Sequence, residues 1–122
     1  MAGDPSAEAG RAAAAAVDIG AVVTGLLASP EWQTQERSSR SLLHLPSVRV
    51  VVTALHRGAS LHNDDPDESL TVQGVRGEAL VSIEGDGTIL DEGSILGIPA
   101  GATWRLVATT DAVVLLSVAG PD

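Results

Sequence analysis

From Ile19 the apolar positions fall at Ile19, Val22, Val23, Leu26 and Leu27. Steps of three and four residues lay these side chains along one stripe of a helix. The alanines that follow Arg11 favour the same state. Gly20 and Gly25 work against it by about 1 kcal/mol each relative to alanine, so packing against the body of the protein must hold this helix in place. Ser29-Pro30 marks its end. Residues 31–40 are polar apart from Trp32 and predict an irregular or short extended segment.

Beyond that point the period changes to two. Ser41 to Leu45 predicts a short strand closed by Pro46, and Val48 to His56 predicts the strongest strand of the chain. In the latter, Val48, Val50, Val52 and Ala54 alternate with Arg49, Val51, Thr53 and Leu55. The second set is not purely polar, so both faces are expected to be partly buried. Further strands are expected over Leu70 to Val75, Glu78 to Glu84, Thr88 to Leu90, Ser94 to Ile98, Thr103 to Ala108 and Ala112 to Val118. Turn chemistry separates them at Glu84-Gly85-Asp86-Gly87, Asp91-Glu92-Gly93 and Pro99-Ala100-Gly101. Many short strands with almost no helix after residue 30 predict an all-β sandwich or barrel. The lack of helices between strands excludes a doubly wound sheet.

At 122 residues the chain has room for one domain with one modest core. Residues 1–10 read as a flexible leader and residues 11–122 as the domain with its amino-terminal helix. There is no Phe or Tyr, and Trp32 and Trp104 are the two tryptophans, so Val, Leu, Ile and Ala must build the core. A small domain with an aliphatic core gains from pairing with a second copy. The net charge of −9 opposes nucleic acid and anionic membranes. Seven basic residues are scattered, with Arg37 and Arg40 the nearest to a cluster. Cysteine is absent, which excludes disulfides, zinc thiolate sites and thiol nucleophiles. A cytoplasmic protein is expected. The apolar run from Ala12 to Val17 is too short to span a bilayer, and no secretory pattern precedes it.

Candidate chemistry begins at His62, Asn63 and Asp64. In extended chain His62 and Asp64 point to the same side and can reach a common point inside a barrel. Gln73 lies in an apolar stretch, where an inward amide would need a partner. Imidazole, carboxylate and amide oxygen can contribute to binding a first-row transition metal. The simpler reading makes Asp64, Asp65, Asp67 and Glu68 a solvated acidic loop to which His62 hydrogen-bonds. His44 and His56 read as edge or surface histidines. No GxSxG, HExxH or glycine-rich phosphate loop is present.

From about Leu42 to Val118 the chain resembles the cupin superfamily, in particular its small single-domain members. Two stretches carry the resemblance: GASLHNDDPDESLTVQGVRG from Gly58 to Gly77, and Gly93 through Pro99-Ala100-Gly101 to Trp104. The resemblance implies a jelly-roll β-barrel that pairs as a homodimer, with Ser41 to Leu45 and the amino-terminal helix as candidate contacts. It also implies a site of three imidazoles and a carboxylate around iron, manganese, nickel or zinc. His62 and Asp64 fall at the two histidine positions of the first motif, and Gln73 where small cupins often carry an inward glutamine. Glu68 is a less apt stand-in for the acidic ligand. Trp104 falls in the histidine slot of the second motif and cannot ligate.

The expectation is therefore a cupin-like protein that binds a small organic ligand at the barrel mouth. Its pocket would be lined by His62, Asp64, Gln73 and Trp104, with a degenerate metal site, no cofactor and no assigned reaction. The alternative is a divergent metal-dependent enzyme of dioxygenase, isomerase or cyclase type, with His62, Asp64 and Gln73 around Fe, Mn, Ni or Zn. A third, metal-free enzyme would use Asp64 or His62 as general base but lacks a partner residue. The first two part on one point: whether Trp104 projects inward and blocks convergence of the other three.

Overall fold

Asp18 starts the first helix by accepting a hydrogen bond from the Ala21 N–H at 3.0 Å, which satisfies one of the orphan donors of the first turn. This helix, α1, spans Ile19–Leu27 and buries Val23 and Leu26. The computed structural model of the chain describes residues 16–63 and 66–120, so the expected leader at 1–10 and the residues Asp64 and Asp65 lie outside it. Ser29 ends α1 and starts a second helix. Its hydroxyl donates to the Leu26 carbonyl at 2.7 Å and accepts from the Trp32 N–H, while Pro30 takes the first helical position. That short helix, α2, covers Pro30–Thr34, where an irregular segment was expected.

Nine strands follow among the described residues. They are β1 Arg37–His44, β2 Val48–Leu55, β3 Ser60–His62, β4 Ser69–Arg76 and β5 Ala79–Ile83, then β6 Asp86–Leu90, β7 Ile95–Ile98, β8 Trp104–Ala108 and β9 Ala112–Ala119. Two antiparallel sheets result, one ordered β1-β2-β9-β4-β7 and the other β3-β8-β5-β6. The fold class is thus the expected all-β jelly roll with a short amino-terminal helix. β1 starts at Arg37, well before Ser41, because an outer strand needs only one partner and tolerates the polar run Arg37-Ser38-Ser39-Arg40. The Arg37 guanidinium also reaches across to the Ser60 carbonyl at 3.1 Å, tying the two sheets together.

Alternation along β2 builds two apolar clusters on opposite sides of one sheet. Leu55 joins Leu70, Val72, Val81, Leu90, Trp104, Leu106, Val114 and Leu116 between the sheets. Val52 and Ala54 face outward and meet Val23 and Leu26 of α1, with Val113 beside them. Both faces of β2 are therefore covered, as its mixed pattern predicts. The register with β9 sets the phase: Arg49, Val51 and Thr53 lie opposite Val118, Leu116 and Val114. Directly opposed residues share a face, so all three point into the barrel.

Candidate functional site

A cavity of about 180 Å³ opens at one end of the barrel. One wall is Arg49, Val51 and Thr53 of β2 with Leu116 and Val118 of β9 and Leu70 of β4. The opposite wall is Leu61 of β3 and Trp104 of β8, and His62 and Asn63 form the rim where β3 ends. Glu68, in the segment before β4, completes the mouth.

Trp104 points inward. It is 6% exposed and shares the inner face of β8 with Leu106 and Ala108. The preceding turn positions it: the Gly101 N–H donates to the Pro66 carbonyl at 2.7 Å, which binds the second motif to the segment carrying Glu68. The indole Nε1 is buried and has no hydrogen-bond partner among the described residues. An unsatisfied buried donor costs about 1–3 kcal/mol. Trp104→Phe removes that donor and is expected to change stability by less than about 1 kcal/mol, because relief of the orphan offsets the lost packing. The urea midpoint checks this, and a loss near 3 kcal/mol would mean that the N–H is satisfied after all.

Among the described residues, His62 and Gln73 do not converge with Trp104. In β3 the inward residue is Leu61, opposite Leu106, whereas His62 lies opposite the exposed Arg105 on the outer face. In β4 the inward residues are Leu70 and Val72, both in the interior cluster, and Gln73 takes the other face, opposite Leu115 and Ile95. His62 and Gln73 thus start from the outer faces of two different sheets; His62 meets the cavity only at its rim, and Gln73 does not line it. Asp64 lies outside the described residues. Among those described, no group of three His, Cys, Asp or Glu side chains is placed to hold a metal ion. Of the donor set that the cupin resemblance implies for a transition metal, the described members His62 and Gln73 belong to different sheets and do not meet in this cavity.

Arg49 is the residue that sequence reasoning passed over. It is a cation in phase with Val51, Thr53 and Leu55, and that phase was its signal. Its two terminal nitrogens meet the Glu68 carboxylate in a fork, at 3.0 and 3.2 Å. His56 also has more to do than an ordinary surface histidine. Its ring stacks on Trp32 with centroids 3.5 Å apart, and its Nε2–H donates to the Trp32 carbonyl at 2.6 Å. The Nδ1 atom faces Asp111 at 3.8 Å, so the residue clamps α2 onto the barrel. His44 is exposed at the end of β1.

No family model matches the chain, and no curated protein matches it. Solved structures do. KdgF from Halomonas sp. superposes with a TM-score of 0.66 at 20% identity, over 71% of this chain and 81% of that one. An RmlC-like cupin from Desulfovibrio desulfuricans gives 0.67 at 19% identity, over 80% and 94%. A variant of salicylate 1,2-dioxygenase from Pseudoaminobacter salicylatoxidans gives 0.66 at 18% identity, over 82% of this chain and 32% of that one. The chain has the fold of a small cupin. Among the described residues no helix is long and apolar enough to cross a membrane.

Proposed function

We propose that this cupin-fold protein binds a small organic molecule in the barrel cavity and does so without a resident transition metal. The observation that carries the reading is Trp104, which turns an indole into an apolar cavity at the position where the second motif would carry a histidine. Cavities of about 150 Å³ lined by aliphatic and aromatic side chains hold a molecule the size of benzene. The present volume of about 180 Å³ suits a compound of similar size with one or two substituents. A planar body packs against the indole and against Val51, Leu61, Leu70 and Leu116.

The test combines two measurements on untagged protein purified without chelator. Elemental analysis is expected to find no stoichiometric metal, even after exposure to iron, manganese, nickel and zinc. Titration with small aromatic compounds is expected to shift Trp104 fluorescence to saturation in a Trp32→Leu background. One transition metal per chain, lost on His62→Ala, would overturn the reading and revive a metal-dependent enzyme. A homodimer belongs to the same proposal, since β1 is an outer strand; sedimentation at twice 12.4 kDa checks it.

A further inference from the structure

We infer that the ligand of this cavity carries a carboxylate, and that this carboxylate replaces Glu68 on Arg49. The inference rests on the binding reading above and names the class of molecule bound. Arg49 stands on the interior face of β2, opposite Val118, so a regular strand fixes the base of its side chain at the cavity mouth. Its guanidinium already presents the fork that a carboxylate fits, with both terminal nitrogens engaged at 3.0 and 3.2 Å. Glu68 therefore holds the place of a ligand's acid group.

The pair is poised for exchange. The Arg49 side chain is 46% exposed and that of Glu68 17%, so water screens the pair and its net contribution is small. Arg49 belongs to a strand, whereas Glu68 lies just before β4 starts at Ser69, outside any strand. Displacing Glu68 costs one weak ion pair and regains an equivalent one. The ligand's apolar body then adds burial against Leu70 and Trp104 that Glu68 does not supply. The chain charge of −9 works against an anion, so a carboxylate ligand needs a specific cation, and Arg49 supplies it at this cavity.

Benzoate and its neutral analogue benzamide test this by calorimetric titration of the full chain at neutral pH. In the wild-type chain benzoate is expected to bind only about twofold more tightly than benzamide, because exchange of one carboxylate for another on Arg49 is nearly neutral. Glu68→Gln, which removes the internal competitor, should raise benzoate affinity about fivefold and leave benzamide unchanged. Arg49→Met should reduce benzoate to the level of benzamide, and Arg49→Lys, which keeps the charge without the fork, should fall between. Thermal melts of each variant establish that it is folded. Binding of benzoate by Glu68→Gln alone would also support the inference. Equal affinities for the two compounds in every variant would overturn it while leaving a small-molecule cavity in place. Binding of neither compound by any variant would overturn both readings.

Discussion

Replacing Gly77 with alanine is expected to lower stability by about 3 kcal/mol, a fall of about 10 °C in melting temperature for a chain of this size. Gly77 closes the connection between β4 and β5 at a φ of 71°, a conformation that costs an alanine about 1–2 kcal/mol. Strain is only part of the loss. A methyl group at this position would run into the backbone carbonyl oxygen of Asp111 and the Thr110 hydroxyl. Thr110 cannot simply turn away, because its hydroxyl accepts the Glu78 N–H at 3.0 Å and its own backbone N–H is engaged by the Glu78 carbonyl. Gly85 is the control. It has a φ of 88° but open space around the added atom, so Gly85→Ala carries the strain alone and should cost about 1–2 kcal/mol. Equal losses at the two positions would show that the clash contributes nothing.

Leu26→Ala is the second large effect, with an expected loss of about 2–5 kcal/mol in denaturant unfolding. Leu26 is 1% exposed and fills the space between α1 and the outward residues Val52, Ala54 and Val113. The helix has nine residues and two glycines, too short and too poor in propensity to persist without its docking surface. The variant should therefore expose α1 and α2 to amide exchange while β5 and β8, packed in the other cluster, stay protected. Ile19, at 39% exposure on the same helix, provides the contrast, and Ile19→Ala should cost less than about 1 kcal/mol. Uniform loss of protection across the chain would mean that the helix and barrel are one cooperative unit.

Much of this architecture is legible in the residue pattern. The stripe from Ile19 to Leu27 and the alternation over Val48 to Leu55 correspond to α1 and β2 nearly residue for residue. Elements whose stability comes from elsewhere are harder to read. The run Arg37 to Arg40 has no apolar signal because β1 borrows its order from β2, and three-residue β3 is too short to show a period. Ser29-Pro30 has two meanings, and stopping one helix hid the start of another.

The site divides the same way. The residues Pro99-Ala100-Gly101 announce the turn before Trp104, but the inward direction of the indole follows from the register of β8, where Trp104 shares a face with Leu106 and Ala108. Extended-chain spacing for His62, apolar context for Gln73 and motif position for both point inward, but a slip of one residue in a strand sends a side chain to the opposite face. Neither residue carried local information about phase; the cross-strand partners Arg105 and Leu115 do. Arg49 shows the converse. Its phase was visible in the strand, but its pairing with Glu68 joins residues nineteen apart and depends on how β2 and β4 flank β9.

The two tryptophans lie on opposite sides of the five-stranded sheet: Trp104 in the interior cluster and Trp32 against the helix-covered one. Since the chain contains no tyrosine, its near-ultraviolet spectrum comes from these two indoles. Single-tryptophan variants therefore divide one optical signal into an inner and an outer reporter. Coincident melting curves from the two would mark a single cooperative transition, and separated curves would give the helical layer its own melting point.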